Sequence, residues 1–149
     1  MELTQNMNRY LTQQDAALLS RLAENLLREL DVKFNRGERL VDILTSAILL
    51  PENVRRDDCV SLYSKVLYLR LDTNECHTAT IVFPYEASPA LAHVSALAPL
   101  SLALIGREIN SIAEVELHDE HSYGIRIVAI NNISRTVVES PPEQIAPLI

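Results

Sequence analysis

Apolar residues recur in two rhythms along the chain, and the change of rhythm marks its elements. From Thr12 the spacing is helical: Leu18, Leu19, Leu22, Leu26, Leu27 and Leu30 form one wide leucine stripe. Thr12 and Asp15 fit a helix-start box, in which hydroxyl and carboxylate each satisfy an otherwise unpaired N–H. Asp31 to Gly37 (DVKFNRG) interrupts the stripe with β-branched, aromatic and turn-forming residues. A second apolar run at Leu40, Val41, Ile43, Leu44, Ala47, Ile48 and Leu50 is stopped by Pro51. Two helices with one apolar face each predict a short antiparallel hairpin, and Met1 to Leu11 reads as an arm leading into it.

After the polar stretch Glu52 to Asp58 the period shortens to two. Cys59 to Leu71 predicts a strand with a bend or bulge at Ser64-Lys65, Asp72-Thr73-Asn74 a turn, and Glu75 to Phe83 the next strand. Pro84 has no N–H to continue a ladder, so that strand turns there; Val94 and Ala96 resume the extended pattern. Pro99 suits a first helical position and Gly106 a left-handed cap, which predicts a helix of about two turns. Ile112 to Leu117 and Tyr123 to Ile130 alternate as a hairpin around His118 to Ser122, and a tail follows from Asn131. The expected fold class is α+β: a helical hairpin in residues 1–52, then a bent antiparallel sheet with one short helix in residues 57–149, tail included.

Composition narrows the function. The 149 residues are 48% hydrophobic, enough for a real core, but only 5% aromatic with no Trp, and the net charge is −7. Base-stacking platforms and a positive surplus for phosphates are both lacking, so no direct, specific nucleic-acid binding is expected. The acidity lies mostly after residue 50, where 13 Asp/Glu face 7 Lys/Arg. The N-terminus shows no signal segment and no apolar run approaches the roughly 18 residues of a membrane helix, which predicts a cytoplasmic protein without a membrane partner. Cys59 and Cys76 have neither zinc-ligand spacing nor further cysteines to pair with.

Little catalytic chemistry is spelled out. His118, Asp119, Glu120 and His121 could in principle hold a divalent metal, but at a hairpin tip they read as a solvated loop. Three glycines cannot furnish a phosphate-cradling loop, and no serine sits in a nucleophile elbow. No catalytic residue, metal or cofactor is predicted, and the chain is not expected to be an enzyme.

IVFPYEASP (Ile81 to Pro89) and VSALAPLSLALIG (Val94 to Gly106) follow, in order, the two halves of a pattern running roughly "IVGPDEADP, then ISxxSPLGxALLG". The last two thirds of the chain thus resemble the C-terminal domain of the bacterial Gre-type transcription elongation factors. The short N-terminal part is closer in layout to the relative called regulator of nucleoside diphosphate kinase. Phe83, Ala98 and Ser101 stand where the family has Gly, Ser and Gly, and Asn110-Ser111 where it has Gly-Asp. The resemblance implies an FKBP-like C-terminal module. It also implies RNA polymerase as the partner, docked at the rim of the secondary channel through Pro84, Glu86, Ala87, Ser88, Ser95, Pro99 and Leu100.

Cleavage-stimulating Gre factors carry acidic residues at the tip of a long coiled coil, where they help hold a magnesium ion. Here the expected tip holds Glu29, Asp31 and Glu38, but also Lys33, Arg36 and Arg39, on a shorter arm. The expectation is therefore a regulator of transcription without cleavage activity. Two alternatives stay open at this point: a cleavage-stimulating factor with an acidic tip, and a homodimeric interaction module pairing through its leucine stripe.

Overall fold

The computed structural model describes residues 8–28, 36–117 and 121–131, the side chains of residues 36 and 37 excepted. The fold is α+β. Helix α1 (Gln13–Leu27) and helix α2 (Arg36–Ser46) pack as the predicted hairpin. Thr12 caps α1, its hydroxyl accepting from Asp15 N–H at 3.0 Å. Leu19 and Ala23 of α1 and Leu40 and Ile43 of α2 are buried, whereas Leu27, at the far end of the stripe, is exposed.

Two expectations about this part give way. The second helix does not run to Leu50: it ends at Ser46, and Ile48–Leu49 forms a short strand, β2, parallel to β1 (Tyr10–Leu11). The described end of the arm, residues 8–11, is likewise part of the fold. Ile48 N–H donates to Arg9 O, Leu50 N–H to Leu11 O, and on the other side Tyr10 N–H donates to Gly106 O. Backbone hydrogen bonds available from both flanks outweigh the helical preference of the Ala47–Leu50 run, and no local spacing announces them.

Among the described residues, the main sheet has five strands in the order β5-β4-β3-β7-β6, with β3 Lys65–Arg70, β4 Glu75–Val82, β5 His93–Ser95, β6 Ile112–Glu116 and β7 Ser122–Asn131. β3, β4, β6 and β7 pair antiparallel, as expected, but β5 lies parallel to the end of β4. A register shift between Leu67 and Tyr68 marks a bulge against β7, a device that bends a strand and raises its twist. The extended run expected from Cys59 begins as a strand only at Lys65. Before it, Cys59 bridges Glu108, and the chain turns through Ser61–Ser64 with Tyr63 at φ 68°. Buried Val60 and Leu62 produce the alternation there without a ladder.

Helix α3 (Pro99–Leu104) starts at its proline and is followed by Gly106 at φ 79°, the predicted left-handed position. Leu102, Ala103, Leu104 and Ile105 enter the core with Val66, Ile81, Val115, Ile125 and Ile127. Leu19, Ala23, Leu40 and Ile43 of the hairpin belong to the same buried cluster. Asp15 adds a polar link, its Oδ2 accepting from Leu62 N–H at 3.1 Å. Arg9 is buried, and its Nη1 donates to the last carbonyls of α3, Leu102 O at 2.7 Å and Ile105 O at 3.0 Å. Among the described residues, no helix is long and apolar enough to cross a membrane.

Candidate docking site

The connection from β4 to β5 builds an exposed ridge. β4 ends at Val82, and Pro84 then opens a short 3-10 turn, Pro84–Glu86, because its fixed φ suits a first helical position and it cannot donate to a ladder. A second such turn, Pro89–Leu91, follows, and Ala92 at φ 58° reverses the chain into β5. Ser88 and His93 close the loop by exchanging backbone hydrogen bonds of 2.9 and 3.0 Å.

Pro84, Glu86, Ala87 and Ser88 all lie on this ridge, and Ser95 ends the strand beside it. Ser95 has a structural task, since its Oγ accepts from Leu97 N–H at 3.1 Å and shapes the turn into α3. Pro99 and Leu100, the first turn of α3, are half-buried, and Leu100 packs against the core. Glu86 is exposed but tied to its own loop: its Oε1 accepts from Phe83 N–H at 3.2 Å and from Tyr63 Oη at 2.5 Å. Burial first, and the Glu86 carboxylate second, push the Tyr63 phenol up to about 12. Glu86 therefore helps to hold the ridge in shape.

The most outward-facing side chains are ones the sequence reading passed over. Tyr85 is 82% exposed and Leu91 65% exposed. Tyr85 meets Phe83 edge to face at 5.9 Å, and Phe83 stacks on Tyr63 at 6.5 Å. Three aromatic rings in a row, anchored at the Tyr63 end and open at the Tyr85 end, make a preformed apolar knob of the kind that dominates protein interfaces. The available signal was the Phe-Pro-Tyr triplet, an aromatic pair flanking a proline at a turn. Tyr63, distant in sequence, carried no signal.

Of the expected hairpin tip, Glu29, Asp31 and Lys33 lie outside the described residues. Arg36 opens α2, and Glu38 is exposed in its first turn. Three of the four residues of the possible metal cluster, His118, Asp119 and Glu120, also lie outside; among the described residues no group of three or more His, Cys, Asp or Glu could hold a metal ion.

The family pattern described as "Transcription elongation factor, GreA/GreB, C-term" matches residues 55–132, just over half of the chain and all of the ridge. The chain belongs to the GreA/GreB family. Among individual GreA/GreB proteins, it is 33% identical over 98 residues to the transcription elongation factor GreA of Nautilia profundicola, covering 66% of this chain and 58% of that one. With the GreA of Geobacillus kaustophilus it shares 29% identity over 82 residues, covering 55% of this chain and 52% of the other. The chain thus spans rather over half the length of these GreA relatives. The fold is similar to that of the prokaryotic transcription elongation factor GreA/GreB from Nitrosomonas europaea, with a TM-score of 0.65 at 22% identity, covering 83% of this chain and 99% of that one.

Proposed function

We propose that this GreA/GreB-family chain regulates transcription by binding RNA polymerase at its secondary channel, and that it does so without promoting transcript cleavage. The observation that carries the docking half of this reading is the ridge with exposed Tyr85 and Leu91 beside half-buried Phe83, which lies within the matched family segment and is braced by the Glu86 hydrogen bonds to Phe83 and Tyr63. Exposed aromatic and aliphatic side chains on a braced turn bury well against a partner while losing little conformational freedom. The cleavage half rests on reach. Helix α1 has 15 residues and α2 has 11, so the longer one extends about 22 Å at 1.5 Å per residue. Helices of that described length support a reading in which carboxylates at the tip fall short of a distant metal centre.

Capture of core RNA polymerase by the immobilised full chain tests the docking. Tyr85→Ala combined with Leu91→Ser is expected to weaken capture by about tenfold or more while leaving the melting temperature unchanged. Failure of the wild type to bind, or undiminished binding by the double variant, overturns the reading. Incubation with backtracked elongation complexes tests the rest: the transcript is expected to keep its length, and shortening would favour the cleavage-stimulating alternative.

A further inference from the structure

Strand β4 is covered on its β5 side over only part of its length. β5 pairs with Thr80, Ile81 and Val82, and Thr80 N–H is taken by Ala92 O at 2.9 Å. Before that point residues 75–79 pair with β3 alone, so they form an open edge of the main sheet among the described residues. At its far end Asn74, at φ 63°, turns the chain back to β3, which leaves an edge about 14 Å long at 3.4 Å per residue. Backbone N–H and C=O groups alternate sides along a strand, and Thr80 directs its own towards β5. Cys76 and Thr78 therefore point theirs the same way, and among the described residues nothing on that side pairs with them.

Edge strands are commonly guarded by lysine, proline or a bulge, because a row of unpaired backbone groups is a template for another strand. Residues 75–79, Glu-Cys-His-Thr-Ala, hold no lysine and no proline, and they pair with β3 without a register shift. Strand β6, at the other end of the sheet, instead exposes two acids, Glu114 and Glu116. Glu75, Cys76, His77 and Thr78 are all exposed. Cys76 and Thr78 share a face of the sheet with Leu69 and Leu67, their half-buried partners on β3. Glu75 and His77 lie on the other face, where His77 Nε2 is 3.4 Å from Glu75 Oε1.

We propose that this edge pairs antiparallel with the same edge of a second copy of the chain, about a two-fold axis at His77. That register sets Cys76 opposite Thr78 of the second copy, and the reverse, so each pair exchanges two backbone hydrogen bonds and no outward group of either residue is left over. An axis at Cys76 would set Thr78 against the turn at Asn74, and an axis at Thr78 would set Cys76 against Thr80, whose N–H is already taken. The side chains agree with the axis at His77. On one face Leu67, Thr78 and then Cys76 and Leu69 of the second copy fall in one row, which joins the two half-buried leucine pairs. On the other face Glu75 meets Ala79 rather than a second acid, and the two imidazoles meet with a carboxylate beside each. So short a seam buries less than a standard dimer interface, so the association is weak and concentration-dependent. The edge shares no residue with the docking ridge, and its fate is independent of polymerase binding.

Sedimentation velocity of the full chain, from about 10 to about 500 µM, is expected to show a shift from monomer to dimer as concentration rises. Cys76 reports the register, since Cys59 is buried. The two Cys76 side chains sit diagonally across the seam, about 7–8 Å apart, so a bis-maleimide of that span is expected to give a covalent dimer on a denaturing gel. Thr78→Pro removes an outward N–H and none that pairs with β3, and is expected to reduce the covalent dimer to background. His77→Lys keeps a cation beside Glu75 but sets two ammonium groups opposite each other; association is expected to weaken about fivefold, and an equimolar mixture with His77→Glu to restore it. A monomer at every concentration, undiminished association of Thr78→Pro, or equal self-association of His77→Lys and the wild type overturns the proposal. So does a monomer whose Cys76 is labelled faster once residues 132–149 are removed, which would assign the edge to the chain's own tail.

Discussion

The hydroxyl of Ser101 is 1% exposed inside α3, and its Oγ meets no hydrogen-bond partner among the described residues. A buried hydroxyl in that condition carries its desolvation cost uncompensated. Ser101→Ala keeps the helix and removes the hydroxyl, so it is expected to raise stability by about 1 kcal/mol in urea unfolding; an equal loss would mean that the hydroxyl has a partner after all. Residue identity alone also misleads about direction. Tyr85 and Glu86 are neighbours in sequence, yet the aromatic faces solvent and the acid is recruited by Phe83 N–H and Tyr63 Oη. Asn110 shows the opposite case: the family's glycine position needs φ > 0, Asn110 supplies 72°, and asparagine is the non-glycine residue best able to do so.

At the scale of elements, punctuation was the most readable signal. Thr12 starts α1, Pro84 ends a strand, Pro99 starts α3 and Gly106 follows its end, each because the residue's own backbone chemistry leaves few options. Gly106 does more than cap. A Cβ built there would lie 3.0 Å from Arg9 Cβ and 3.2 Å from both Tyr10 N and O, so the position also lets the chain before β1 approach α3. Gly106→Ala is therefore expected to cost roughly 1–3 kcal/mol, from left-handed strain together with the displaced strand. A thermal melt within the error of wild type would show that β1 yields without consequence. The elements that spacing misplaced, β2 and the stretch before β3, are those whose hydrogen bonds go to remote partners: Arg9 and Leu11 for β2, Arg107 and Ile81 for residues 60–63.

At the scale of the whole molecule, the hairpin and the sheet share one buried cluster, and Asp15 ties them through Leu62 N–H. Asp15→Ala removes the acceptor and leaves a buried N–H without it, so a loss of about 1–3 kcal/mol is expected, with a smaller loss for Asp15→Asn, which keeps an acceptor oxygen. Because the core is continuous, urea unfolding of the variant should remain a single transition with a lower midpoint and unchanged slope. Two separated transitions would mean that the hairpin unfolds on its own. Much of the candidate site was legible too: the loop from Pro84 to Ser88, with Ser95 and Pro99 beside it, falls where the pattern placed it. The aromatic row was not, because Tyr63 reaches Phe83 only through the turn that precedes β3.

Local chemistry was enough to establish the order and kind of most elements and the α+β class, since periodicity, caps and prolines act within a few residues of one another; the family came from the resemblance of two motifs. It could not foresee the parallel placement of β5, the hydrogen bond of Glu86 to Tyr63, or the gathering of Arg9, Arg39 and Arg107 at one crevice. Those arrangements join residues separated by tens of positions, and their energies exist only once the chain has closed around a common core.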